Sequence, residues 1–200
     1  MNVCETCALS VRRGCRDVIR AVSVRLRVGE VVGVLGPNGA GKSSLLGAMA
    51  GELPACSGDV LIDGKSLADL DSRAQARIRA VLPQHAALTF DLPLTEVIRM
   101  GAYPFREATP DQVEGWVQQS LVDADLTHLA AARYAELSGG EAQRVQFARV
   151  LVQARAAAAT AGHAYLLLDE PTSSLDPRHQ LFLMHRVHQL AQRERFGILI

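Results

Sequence analysis

The chain has 200 residues, 48% hydrophobic and 21% charged, with a formal net charge of +0. This is the composition of one globular domain, or a domain with a subdomain, long enough to bury a sizeable core. Neutrality argues against a dedicated nucleic-acid binder, no apolar run is long enough to span a bilayer, and Met1-Asn2-Val3-Cys4-Glu5 is no signal peptide, so the expectation is a cytoplasmic protein that can still have a membrane partner.

In chain order, Cys7 to Val11 and Val18 to Val28 read as β-branched strands, and Gly29-Glu30 turns into an apolar strand from Val31 to Leu35. Arg12, Arg13, Arg16, Arg20, Arg25 and Arg27 alternate with apolar residues there, the pattern of a solvated sheet face. Cys4 and Cys7 have redox or metal spacing, but no second CxxC or nearby histidine completes a zinc site. A helix is expected from Ser43 to Ala50, a strand from Asp59 to Ile62 closed by an Asp63-Gly64 turn, a helix from Asp71 to Arg79, and a short strand, Ala80-Val81-Leu82, stopping at Pro83-Gln84. From about Thr95 to Ala154 the period is mostly helical, with Thr109 as N-cap and Pro110 in the first turn of one helix. Ala154 to Gly162 is Ala-rich and reads either as a helix end or as a loop. Tyr165 to Leu168 is a strand, Pro177 to about Arg195 a helix, and Phe196 to Ile200 a strand again. The simplest architecture is an α/β core interrupted by a helical insertion.

Gly36-Pro37-Asn38-Gly39-Ala40-Gly41-Lys42-Ser43 sits between the Val31 strand and the following helix, which continues through Ser44. It is a G-x-x-x-x-G-K-[ST] phosphate loop. Glycines let successive N–H groups point into one concavity, and the helix terminus adds its positive dipole end. Lys42 supplies a point charge for the β- and γ-phosphates, and Ser43 a hydroxyl for magnesium. Leu166-Leu167-Leu168-Asp169-Glu170 is an apolar strand ending in two carboxylates. In such proteins this strand is expected beside the phosphate-loop strand, so that Asp169 reaches magnesium through water and Glu170 polarises the attacking water. Leu137-Ser138-Gly139-Gly140-Glu141 opens another helix with two adjacent glycines, a second anion-binding terminus that one nucleotide cannot easily share within one chain.

Taken in order, these segments resemble the ATP-binding-cassette (ABC) family. Gly36 to Ser43 matches its Walker A motif, Gln84 its Q-loop glutamine, Leu137 to Glu141 its signature motif, Leu166 to Glu170 its Walker B motif, and Ser174-Leu175-Asp176 its D-loop. The resemblance spans nearly the whole chain. It implies a P-loop NTPase core with a mixed sheet, an antiparallel β subdomain and an inserted α-helical subdomain. The core would comprise about 1–84 and 155–200, and the helical signature subdomain about 85–154. It also implies ATP and Mg2+ as ligands, the metal held by Ser43, Asp169 and Gln84, with Glu170 and Gln84 in the catalytic roles. A head-to-tail homodimer would place Ser138, Gly139 and Gly140 on the γ-phosphate bound by the other copy. Family members stack an aromatic residue on adenine; the matching position before Gly14 is Arg13, so stacking here would use a guanidinium.

The family's switch histidine would follow the strand after the D-loop helix, and the sequence ends within that strand at Ile200. His179, His185 and His188 lie on the preceding helix and His163 lies before Walker B, so the expectation is a C-terminally truncated cassette that binds ATP and hydrolyses it poorly. The stretch Arg79 to His85 with Leu94 to Pro104, its Arg99-Met100-Gly101 run, the His179-Gln180 pair and the long Ala-rich spacer resemble the ATPases of bacterial importers for haem, siderophores and cobalamin, the haemin importers most. This implies a peripheral protein on the cytoplasmic membrane face, with residues 85–105 docking a permease and a periplasmic substrate-binding protein acting indirectly. The alternative is a soluble ABC ATPase of the ribosome or DNA-repair type. From Gln84 to Ser138 there is room for a helical subdomain and none for a coiled coil, which favours transport.

Overall fold

The computed structural model describes residues 2–84 and 91–200. Its strands form two sheets. β1 (Val3–Arg13), β2 (Arg16–Val22), β5 (Ser57–Ile62) and β6 (Lys65–Ser66) are antiparallel in the order β2-β1-β5-β6, and β3 (Arg25–Arg27) pairs with the start of β1. β4 (Val31–Val32), β7 (Arg79–Leu82), β8 (Ala164–Leu168) and β9 (Phe196–Leu199) are all parallel, in the order β4-β9-β8-β7. Six α-helices accompany them among the described residues: α1 (Lys42–Met49), α2 (Ser72–Ala76), α3 (Leu94–Arg99), α4 (Pro110–Asp123), α5 (Gly139–Ala161) and α6 (Pro177–Arg193).

Every residue of β8 and β9 is buried, as expected for a parallel sheet covered on both faces. Alternation along β8 assigns the two layers. Leu166 and Leu168 join Leu82, Phe196 and Ile198 in a core shared with α3, α4, α5 and α6. Tyr165 and Leu167 face a second core made by α1 and the antiparallel sheet, with Leu9, Leu26, Leu45 and Met49. Each such buried side chain contributes about 1.5–3 kcal/mol of transfer free energy, so the Leu166-Leu167-Leu168 run fastens both layers at once.

Several boundaries differ from the sequence expectation. The Val18–Val28 strand is split into β2 and β3 because Thr6 breaks it: its Oγ1 donates to the Val22 carbonyl (3.0 Å) and accepts from Val24 N–H (2.9 Å). The first strand is longer than Cys7–Val11, running from Val3 to Arg13. The Val31 strand keeps ladder pairing only to Val32, although Val34 N–H still reaches the Ile200 carbonyl at 2.6 Å. The Asp71–Arg79 helix shrinks to α2, capped by Asp71, and Arg79 joins β7 instead. The Asp63-Gly64 turn forms as expected, with φ of 52° and 80° at its two residues, as a tight hairpin requires.

The Ala-rich stretch is helix. It forms the last turns of α5, with Ala154, Ala156 and Ala157 buried and Gly162 as the left-handed cap. Residue 154, the expected edge of the helical insertion, therefore lies inside one continuous helix that packs on α3 and α4 as well as on β7 and β8. The Arg99-Met100-Gly101 run has a packing role. A Cβ on Gly101 would fall 2.2 Å from the Arg149 carbonyl of α5, so only glycine lets the two backbones approach. α4 starts as foreseen: Thr109 Oγ1 accepts from Gln112 N–H while Gln112 Oε1 accepts from Thr109 N–H, a reciprocal capping box.

Candidate nucleotide and catalytic site

The parallel sheet gathers the chemistry at one end. The phosphate loop leaves the carboxyl end of β4, Gln84 follows β7, and Asp169 and Glu170 follow β8, the edge where open α/β sheets bind ligands. Register completes the alignment. Leu82 pairs with Leu168, so Gln84 and Glu170, each two residues further on, meet: Gln84 Nε2 donates to Glu170 Oε2 at 2.8 Å. Glu170 has φ of 48°, a left-handed conformation that costs a non-glycine residue and that clusters at functional sites.

One expectation is corrected here. β8 does not lie beside the phosphate-loop strand, because β9 is inserted between β4 and β8. Asp169 still reaches the loop, accepting a hydrogen bond from Ser43 Oγ at 3.1 Å. The physical reason is that the loop itself leaves β4 and lies across the strand ends, so adjacency in the sheet is not required.

Gly41 opens α1 with φ of 98°, and a Cβ there would meet the Val18 carbonyl of β2 at 2.6 Å, so the loop is held tightly against the antiparallel sheet. Lys42 Nζ donates to the carbonyls of Gly36 (3.0 Å) and Pro37 (3.2 Å), which holds its charge over the loop. Arg13, Val18, Asn38, Gly39, Gly41, Lys42, Ser43, Ser44, Gln84 and Glu170 line a cleft of 380 Å³. Arg13 thus stands at the cleft wall, whereas Arg12, Arg20, Arg25 and Arg27 pair with Asp17, Glu5 and Glu30 on the solvated face. Val18 is a lining residue that the motifs did not indicate; only the packing of β2 on the loop reveals it. Asp169 lines an adjoining, mostly apolar cavity with Val31, Val34, Leu46 and Met184, which shares Lys42 and Glu170 with the cleft.

Leu137, Ser138, Gly139, Gly140 and Glu141 are absent from the cleft's lining among the described residues. Ser138 caps α5: its Oγ accepts from Glu141 N–H, while Glu141 Oε2 accepts from the Ser138 N–H (2.8 Å) and hydroxyl (2.6 Å). Those bonds from Ser138, with the nearby charges of Arg144 and His128, hold the Glu141 carboxyl below the usual carboxylate range. Ser138 and Gly139 are exposed, so this helix terminus stands at the surface, with the Ser138 N–H already given to Glu141. The D-loop touches this helix end in the same chain, since a Cβ on Gly140 would stand 3.1 Å from the Ser174 carbonyl.

Among the described residues the histidines lie elsewhere. His163 is buried at the opposite, amino end of β8, its Nε2 2.8 Å from Asp63 Oδ2, and Tyr165 donates to the same carboxylate at 2.8 Å. His185 and His188 pair with Gln189 and Gln192 along α6. Cys4 is buried and Cys7 exposed, so the two thiols do not converge on one point. Of the expected docking stretch, residues 85–90 lie outside the described residues; in the remainder Tyr103 is prominently exposed. No helix among the described residues is long and apolar enough to cross a membrane.

Comparison with known proteins agrees with this arrangement. The family model described as ABC transporter matches residues 19–173. The chain is 50% identical over 192 residues to the hemin import ATP-binding protein HmuV of Bordetella avium (strain 197N), covering 96% of this chain and 73% of that protein. It is 47% identical over 185 residues to the protein of the same name in Pseudomonas aeruginosa, covering 92% of this chain and 71% of the relative. A solved structure of an ATP binding subunit of an ABC transporter superposes with a TM-score of 0.82 at 25% identity, over 98% of this chain and 78% of that one. A bacterial Atm1-family ABC exporter with ATP bound shares the fold, with a TM-score of 0.77 at 24% identity over 100% of this chain and 34% of that one. Motif order, cleft and relatives coincide, and the chain belongs to the ABC transporter family of ATP-binding proteins.

Proposed function

We propose that this chain is the ATP-hydrolysing subunit of a haemin importer, working through a separate membrane permease and its periplasmic substrate-binding protein. The observation that carries the enzymatic part is the pair of contacts across the strand ends, Ser43 to Asp169 and Gln84 to Glu170, beside the glycine-rich loop. The cargo rests on the 50% identity to the haemin-import relatives.

The loop of Gly36, Pro37, Asn38, Gly39, Ala40 and Gly41 cradles the phosphates with its N–H groups, Lys42 lies along the β- and γ-phosphates, and Ser44 adds a donor from the first turn of α1. Arg13 stacks its guanidinium on the adenine. Ser43 and Asp169 bring a hydroxyl and a carboxylate together, the hard oxygen donors that suit Mg2+, and Gln84 stands within reach on the same edge. Bound there, Mg2+ offsets phosphate charge. Glu170, oriented by Gln84, accepts the proton of the attacking water.

The helix terminus at Ser138, Gly139 and Gly140 completes the site of a second copy in a head-to-tail homodimer, with Leu137 packed against the core and Glu141 locking the cap. Ser174, Leu175 and Asp176 form the D-loop beside that terminus. Two ATP molecules favour the closed dimer, hydrolysis releases it, and the helical region around residues 85–154 carries the change to the permease through the surface near Tyr103. The protein would then lie on the cytoplasmic membrane face.

Glu170→Gln tests the chemistry. It should keep ATP affinity and lower hydrolysis by about 10²-fold or more, the usual contribution of a positioned base. Hydrolysis at the parental rate would remove Glu170 from the role. In vesicles holding the permease, stimulation by haemin supports the cargo; stimulation by cobalamin or a ferric siderophore instead reassigns it.

A further inference from the structure

The His179-Gln180 pair has no part in the cleft, yet both side chains turn back onto the D-loop. Gln180 Nε2 donates to the carbonyls of Leu175 (2.9 Å) and Thr172 (3.3 Å), so one amide spans the D-loop turn. His179 N–H donates to Asp176 Oδ1 (3.0 Å), and the imidazole Nδ1 lies 2.6 Å from Asp176 Oδ2. The other ring nitrogen faces a different element: Nε2 is 3.7 Å from Asp125 Oδ2, just beyond the end of α4. Asp125 is held in turn by Arg144 of α5, whose Nη1 donates to the Asp125 carbonyl (2.5 Å) and the Ala124 carbonyl (3.2 Å) and lies 3.7 Å from the Asp125 carboxylate. Arg144 is buried and Asp125 has φ of 54°, so this corner is built rather than incidental.

We propose that His179 and Gln180 are positioning residues that set the D-loop and tie it to the helix bearing the signature segment. The chain of contacts runs Leu175 and Asp176, His179, Asp125, Arg144, α5. It closes on itself where Gly140 backs onto the Ser174 carbonyl. The D-loop and the exposed α5 terminus are therefore held as one unit by side chains that do not line the cleft. A second copy meets this unit as a preformed surface, and its loss costs ordering at the moment of closure. The inference rests on the dimeric reading of the signature segment given above.

The test uses the Glu170→Gln chain, in which slowed hydrolysis lets the closed dimer accumulate, with sedimentation velocity across an ATP titration in Mg2+. A fluorescent ATP analogue reports affinity at the single-chain site. Adding His179→Ala should weaken ATP-driven dimerisation by about fivefold or more, the scale of one charge-assisted hydrogen bond, with nucleotide affinity within about twofold. Asp125→Asn should weaken it too, and the double variant should lose less than the product of the two effects, since both break one bridge. Dimerisation unchanged by His179→Ala, nucleotide affinity falling in parallel with it, or fully multiplicative effects would each overturn the proposal. Should the Glu170→Gln chain fail to dimerise with ATP at all, the dimeric reading itself falls and takes this inference with it.

Discussion

Replacing Arg155 with Met probes the ion network that joins the helical region to the core. Arg155 of α5 is only 6% exposed and donates from each of its three side-chain nitrogens to neighbours. Nη1 donates to Ser120 Oγ (2.7 Å), Nε and Nη2 to the Glu194 carboxylate (2.9 and 2.7 Å), and Nη2 also to Asp123 Oδ2. Asp123, at 3% exposed, is the vulnerable partner. Without Arg155 it keeps the Arg186 guanidinium at 3.5 Å and the Gln119 amide at 3.5 Å, both at the limit of useful contact. Removing one member of a buried pair costs about 3–5 kcal/mol because the other charge is stranded. Against a total stability of about 5–15 kcal/mol this is a large fraction. At this chain length it corresponds to a Tm lower by roughly 6–20 °C. Urea unfolding of Arg155→Met, followed by circular dichroism, measures it. Adding Asp123→Asn removes the stranded charge and should return about 1–3 kcal/mol. A Met variant within about 1 kcal/mol of the parent, or no recovery on adding Asn, would refute the reasoning.

Two further outcomes are expected. Arg13→Ala should weaken ATP binding about three- to tenfold, the scale of a cation–π contact in a partly exposed site, while Arg12→Ala on the same strand leaves it unchanged; equal affinities for the parent and Arg13→Ala, measured by titration calorimetry, would deny Arg13 the adenine. Burial pushes the Cys4 thiol up to about 12, so in the native state Cys7, Cys15 and Cys56 should react with a thiol reagent at mildly alkaline pH while Cys4 reacts only after denaturation. The sign for stability follows: the unfolded thiol ionises from about pH 9 upward and the folded one cannot, so stability should fall by up to about 1.4 kcal/mol per pH unit between about 9 and 12, a slope that Cys4→Ser removes.

Much was legible from local chemistry. The phosphate loop, the carboxylate-terminated strand and the glycine pair of Leu137 to Glu141 are each a contiguous run whose residue types dictate a local conformation. They were therefore readable before any packing was known. The Thr109 cap and the Asp63-Gly64 turn were readable for the same reason. Strand limits were not, because β2 ends where Thr6 of β1 bonds to the Val22 carbonyl and the Val24 N–H, a contact between segments far apart in the chain. The Ala-rich stretch was ambiguous because alanine, though a strong helix former, leaves no apolar stripe to show which face packs; burial against the sheet decides for helix.

By itself, the sequence determined the ligand class and the family, since both rest on short runs in a fixed order. Tertiary structure alone decided three things. Sheet order put β9 between β4 and β8, which hydrophobicity cannot reveal, because an apolar run does not say which strand it pairs with. Register brought Gln84 to Glu170 across 86 residues of chain. Close packing turned Gly101, Asp125 and His179 into the joints between the helical region and the core, a role that neither the Arg99-Met100-Gly101 run nor the His179-Gln180 pair announced as sequence. Those contacts are long-range, and their partners are set by the geometry of the whole fold rather than by neighbours in the chain.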